Sequence, residues 1–251
     1  MYLVGGFPLL LVPRFRRLLP ETARFEQMQA DRAAGRAGPD RGWVAPLVEL
    51  VREYPGRSIA VAAMAFLYAA GSSPAFGLLS DFLQTTHGWL PSSYAKMALI
   101  AGAFGIIGNP AMGWAADRFG RRPVAMGALG LFPLMALAMY FGPEMAVPLF
   151  WIPFTFLITG ANVLMRVIAT ELFPTSSRNT AMGWETLMET LGAAGGYLLV
   201  GSLTVSGASG ASIAPAAVLV SLLTITAALV VWGIPETAGR ELEVTSQETS
   251  A

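Results

Sequence analysis

Cysteine is missing from this chain altogether, and histidine occurs once, at His87. The first absence excludes a disulfide framework and any thiolate-held metal, and the second excludes a histidine-rich metal site. Charge is scarce as well. Asp, Glu, Lys and Arg supply 13% of the residues, where a soluble domain carries about 25%. Lys96 is the one lysine. No Gly-Lys loop of the phosphate-cradling kind exists, so ATP-driven work and nucleic-acid binding find no support, and no cofactor is expected.

What the chain has instead is apolar length. Hydrophobic residues make up 54%, and mean hydropathy is +0.56. Long apolar runs lie at roughly 59–83, 94–116, 123–142, 147–170, 180–204 and 213–234. Each is close to, or above, the ~20 residues a helix needs to cross the hydrocarbon of a bilayer. Backbone groups cannot stay unpaired in lipid, so all six are expected to be helices.

The zero net charge hides an asymmetry. Nine arginines fall in 14–57, and three more (Arg118, Arg121, Arg122) in the short loop 117–122. The alternate loops 84–93, 143–146 and 205–212 have neither Lys nor Arg. Arginine collects on the cytoplasmic side, so both ends of the six-span unit are expected there, in an integral, multi-pass protein of the plasma or inner membrane. Residues 1–13 are apolar but too few to cross, and Arg14, Arg16 and Arg17 follow them, the reverse of a signal peptide. They read as the truncated end of a preceding membrane helix. The expected organisation is then a cytoplasmic linker at 14–57, a six-helix bundle at 58–235 and a cytoplasmic tail at 236–251.

The spans differ from one another. Runs 123–142 and 213–234 have no ionisable residue in their cores, whereas the other four carry polar stripes at helical spacing. Thr155, Thr159, Asn162, Arg166 and Thr170 share one face of the fourth; Glu185, Glu189, Gly192 and Gly196 share one face of the fifth. Gly102, Gly105, Asn109 and Gly113 do so in the second. In the first, Gly71-Ser72-Ser73-Pro74 suggests a break or kink, one turn after Tyr68. Four polar helices with two plain supports is the pattern of a cavity.

Arg166 and Glu185 each fall about five residues inside their spans, ~7–8 Å deep, and Glu189 is ~14 Å deep. Ionisable groups at such depth cost ~2.5–3.5 kcal/mol each on insertion scales and are paired or functional. An Arg166–Glu185 pair is one reading, set against a transport role. For Glu189 the alternatives are a pairing with Arg166, a carboxyl kept neutral, or a proton- or substrate-binding site. Asp81 and Lys96 flank the first outer loop, and Trp43, Trp89 and Trp232 suit interfacial anchors.

Four motifs then carry a resemblance. Gly113 to Arg122 reads G-W-A-A-D-R-F-G-R-R; Glu171 to Arg178 reads E-L-F-P-T-S-S-R; Pro235 to Glu243 reads P-E-T-A-G-R-E-L-E; and Pro20 to Arg24 reads P-E-T-A-R. In order and spacing they resemble the major facilitator superfamily, in its sugar porter-like, metabolite and organic-ion branch. The resemblance implies an all-α membrane protein whose six helices form the C-terminal half of a twelve-helix carrier. It further implies secondary active transport of a small polar solute, a sugar or charged metabolite, by alternating access, with proton coupling at Glu189 and Glu185. Tyr68, Ser72, Asn109, Thr159, Asn162, Arg166 and Glu189 become candidate substrate contacts. Asp117, Arg118, Arg121, Arg122, Glu171, Arg178 and Glu236 become a cytoplasmic gating charge network. The partners implied are a small-molecule substrate, the lipid bilayer, and a missing N-terminal six-helix half or a second copy.

The chain departs from sugar porters in having no Gln at 64–74, and Arg166 leans towards an organic anion. Two rivals stand beside the carrier. One is a truncated, non-transporting remnant. The other is a rhomboid-like intramembrane serine protease, on Gly207-Ala208-Ser209-Gly210 with His87 as base.

Overall fold

The computed structural model describes residues 44–205 and 213–238. Compact units part between Ala45 and Pro46, and the architecture below is that of the unit from Pro46 onward. Residues 1–13, the Pro-Glu-Thr-Ala-Arg motif at Pro20, most of the linker and Ser209 lie outside the described residues.

Nine α-helices are described: α1 (Ala45–Glu53), α2 (Pro55–Gly77), α3 (Leu79–Thr86), α4 (Pro91–Phe119), α5 (Arg121–Phe141), α6 (Val147–Glu171), α7 (Arg178–Val205), α8 (Ile213–Ser221) and α9 (Leu223–Gly233). There is no strand among the described residues. Proline opens α2 and α4, where its missing N–H costs nothing. Five crossing units are long and apolar enough for a membrane by length and composition: 55–86, 91–119, 121–141, 144–171 and 213–233. The sixth, α7, runs 28 residues but is diluted by Glu185, Glu189 and its glycines. All six expected spans are therefore present, each longer than its hydropathy suggested or close to it. The first begins at Pro55, inside the stretch read as linker.

One expectation is corrected. The helix is not broken at Gly71–Pro74; α2 runs through Pro74 and the discontinuity falls at Leu78. A single proline removes one hydrogen bond, and tertiary packing holds the rest of the turn. The last span is one 21-residue helical unit, 213–233, with a single tightened turn at Leu222 between α8 and α9.

Buried hydroxyls close backbone gaps left by Pro133 inside α5 and by the α2–α3 junction. Pro133 has no N–H for the Leu129 carbonyl, and the Thr224 hydroxyl donates to that carbonyl at 2.9 Å. The Tyr140 hydroxyl donates to Ala75 O at 2.9 Å, where α2 gives way to α3. In lipid such donors stand in for the water that would otherwise reach a freed carbonyl.

Helix contacts are made by small residues. On α7, a Cβ at Gly192 would strike the Phe66 carbonyl of α2, and one at Gly196 would strike the Ala70 carbonyl. The Gly192/Gly196 stripe is thus a seam for close backbone approach and not a cavity lining. Gly108 of α4 receives the Phe156 ring, and Gly160 of α6 receives Met112. Large side chains fill two clusters, one around Met64, Met165, Ile168 and Phe173 and the other around Leu79, Phe132, Trp151 and Phe154. By contrast α4 exposes Leu99, Ile106 and Trp114, and α7 exposes Leu191 and Leu198.

Candidate functional site

Two polar assemblies stand out, one part-way along α6 and α7 and one at the arginine-rich end of the bundle. In the first, Asn162 and Arg166 lie one turn apart on α6 and both reach Glu189 on α7. Asn162 Nδ2 donates to Glu189 Oε1 at 2.6 Å, and Arg166 Nη2 donates to Glu189 Oε2 at 3.3 Å. The Arg166 side chain is 42% exposed and that of Glu189 22%. Glu185 is 1% exposed; its Oε2 accepts from Thr186 Oγ1 at 3.3 Å, while Oε1 has no partner among the described residues.

The ion pair is therefore Arg166–Glu189, which corrects the Arg166–Glu185 reading. The reason is directional. Side chains on a helix lean towards its N-terminus. The helices α6 and α7 are successive and run in opposite senses, so Arg166 leans away from the arginine-rich end while both acids lean towards it. Arg166 meets the deeper acid, and Glu185 is carried past it into enclosed packing.

Tyr68 and Ser72 approach this cluster from α2, but their hydroxyls are committed to backbone. Tyr68 Oη donates to Ile158 O at 2.8 Å, and Ser72 Oγ donates to Tyr68 O at 2.7 Å. Thr159 turns its hydroxyl back to Thr155 O at 2.9 Å and packs near Gly105 of α4. Asn109 keeps a buried Oδ1 with no partner among the described residues, and neither it nor Thr159 hydrogen-bonds to the cluster. A cavity of about 460 Å³ lies elsewhere, lined by Tyr54, Arg57, Leu172 and Ile234. The Asn162–Arg166–Glu189 group is an open face and not an enclosed pocket.

At the arginine-rich end, Arg121 opens α5 and is held by two acids. Its Nη1 lies 2.6 Å from Asp117 Oδ1, and its Nη2 lies 3.1 Å from Glu171 Oε1, with Nε 3.2 Å from Glu171 Oε2. The Thr237 hydroxyl also donates to Glu171. Glu236 behaves otherwise than charge counting implies. It accepts backbone N–H groups and no guanidinium: Arg121 at 2.9 Å, Arg122 at 3.1 Å, Thr237 at 3.1 Å and Ala238 at 3.0 Å. It is a remote cap for the first turn of α5. Burial works to raise its pKa, but these four bonds outweigh burial and hold the carboxyl below the usual range. Gly120, at φ +101°, lets the chain turn there, and its absent Cβ leaves room for Glu236 Oε2.

Three arginines assigned to that network are not in it. Arg118 lies over the Phe119 ring at 5.9 Å and is exposed. Arg122 gives its Nη2 to the Trp232 carbonyl. Arg178 keeps Nε and Nη2 buried with no partner among the described residues. Sequence reasoning missed Thr237, although its place beside Glu236 in the Pro-Glu-Thr motif was the available signal.

The sequence profile of the Major Facilitator Superfamily matches residues 61–250. The chain belongs to this superfamily. Across 177 residues it is 28% identical to the shikimate transporter of Escherichia coli (strain K12), covering 67% of this chain and 38% of the relative. Among solved structures, the inward-open xylose transporter of E. coli superposes with a TM-score of 0.59 at 17% identity, over 77% of this chain and 49% of that one. The chain thus spans less than half the length of the proteins it matches, and its six crossing units have the fold of one half of a major facilitator. Membership in a superfamily of transporters speaks against the protease reading. His87 packs edge-on against Phe82, and Ser209 lies outside the described residues.

Proposed function

We propose that this chain forms one half of a secondary carrier that moves a small polar solute by alternating access. The solute class best supported is an organic anion bearing a carboxylate. One observation carries this reading. Arg166, a partly exposed cation well inside a membrane helix, is held by a single long ion pair beside the amide of Asn162. A forked guanidinium next to an amide donor suits a carboxylate better than a neutral sugar. The name of the E. coli shikimate transporter points the same way, and that of the xylose transporter points to sugars.

Glu189 is the proposed proton site. Protonation removes its charge, loosens the Arg166 pair and frees the guanidinium for substrate. Glu185, one turn away and enclosed, is the second acid of the path. Arg121, Asp117, Glu171 and Glu236 form the gate at the end we assign to the cytoplasm of an inner membrane. The exposed apolar faces of α4 and α7 support a further helical bundle as partner, from a preceding six-helix half or a second copy.

Uptake by the assembled carrier tests the reading. Labelled shikimate is expected to accumulate in proteoliposomes under an inward proton gradient, and xylose is not. Glu189→Gln is expected to abolish the pH dependence, and Arg166→Gln to raise KM for the anion at least tenfold, the loss of about 1.4 kcal/mol of binding. Xylose uptake unaffected by Arg166→Gln would turn the assignment towards a sugar.

A further inference from the structure

We propose that a groove between α5 and α9, at the arginine-rich end, binds the phosphate of an anionic membrane phospholipid, with Arg122 as its donor. The groove is a cavity of about 360 Å³ lined by Arg122, Pro123, Met126, Trp232 and Glu236. Its only cation is Arg122, fixed across the groove by the bond from Nη2 to the Trp232 carbonyl.

That guanidinium meets no carboxylate among the described residues. Asp117 and Glu171 are taken by Arg121. Glu236 lines the same cavity, but its oxygens are taken by four backbone N–H groups. Two of these belong to the first turn of α5 and two to Thr237 and Ala238. The Arg122 guanidinium is left with no direct carboxylate partner among the described residues, and its remaining N–H groups suit phosphate oxygens.

The surroundings select a lipid over a free anion. Leu222, Ile225, Leu229 and Trp232 are all exposed, at spacings of three, four and three, so one apolar stripe of α9 runs up to the groove. Trp232 closes the stripe one residue before the end of α9, and indoles favour the bilayer interface. An acyl chain can lie along the stripe while the headgroup reaches Arg122. Basic pockets between membrane helices take anionic headgroups in this way.

The test is native mass spectrometry of the full chain in detergent, titrated with phosphatidylglycerol or with diacylglycerol of the same acyl chains. Wild type is expected to retain phosphatidylglycerol and release diacylglycerol. Arg122→Gln is expected to lower that retention about tenfold. Met126→Trp fills the groove without altering charge and is expected to lower it likewise, which keeps the test valid should Arg122→Gln fold poorly. Arg118→Gln, an exposed arginine outside the groove, is expected to change nothing. Equal retention by wild type and Met126→Trp would overturn the proposal. So would an equal loss in Arg118→Gln, which would mean diffuse attraction, or full displacement by millimolar inorganic phosphate, which would mean a free-anion site.

Discussion

At the arginine-rich end, Glu171 meets Arg121 and Thr237, and Glu236 meets four backbone N–H groups. Part-way along α6 and α7, Glu185 keeps one carboxyl oxygen and Arg166 its Nε with no partner among the described residues. Both assemblies are built from the same residue types. The Arg121–Glu171–Glu236 group is saturated with short-range partners, whereas Arg166 and Glu185 are short of them, as is Arg178 at the start of α7. Saturated polar groups hold a structure in one arrangement, whereas buried groups short of partners carry a desolvation cost that a ligand or a proton can relieve. The comparison separates a clasp from a group with unmet hydrogen-bonding capacity.

Gly192→Leu should break the comparison hardest, because it removes the inner assembly and leaves the clasp. Its side chain would drive into the Phe66 carbonyl, and overpacking of this kind costs ~1–3 kcal/mol, here at the upper end. Size-exclusion chromatography in detergent should show a sharp fall in monodisperse protein; an unchanged profile would mean the seam is not tight.

A paired substitution sharpens it next. Glu171→Met removes the forked partner of Arg121, leaving it Asp117 alone, and should lower thermal stability by about 2 kcal/mol. Glu185→Met replaces an unsatisfied buried carboxyl by an apolar side chain of similar volume, and should be neutral or stabilising by about 1 kcal/mol. Scanning fluorimetry of the two variants should give melting shifts of opposite sign. Shifts of the same sign would show that the two regions do not differ in satisfaction.

The smallest effect concerns pH. The folded carboxyl of Glu236 lies below its ordinary value. Its contribution is therefore complete above the unfolded carboxylate pKa of about 4.3, and is lost as pH falls through the lower folded value. Glu236→Gln should cost about 1 kcal/mol near neutrality, the size of a helix cap, and should flatten the acid limb of the stability curve. An acid limb identical to wild type would place the titration elsewhere.

Much of this was legible in the residue order. Hydropathy located all six crossings, since lipid imposes its length on any helix that spans it. The resemblance of the signature loops put the loop arginines, Glu171 and Glu236 in one network without saying which arginine meets which acid. Other features turn on geometry that no single segment contains. Helical spacing put Glu185 and Glu189 on one face but could not say which would meet Arg166, because the axial register of α6 against α7 belongs to neither helix alone. Gly192 and Gly196 read as lining when they are seam, since a missing side chain serves either purpose. The partners of Glu236 are backbone groups, which charge counting does not see.

The glycine seam of α7 has a mechanical consequence. Where one backbone rests directly on another's carbonyls, no cushion of side chains exists to absorb gradual sliding. The next comparable seat lies a full helical turn away, ~5.4 Å along the axis, with collisions between. Glu185 and Glu189 share a face with those glycines and so ride on a toothed rack, keeping their depth in the bilayer fixed against the carbonyl ladder of α2.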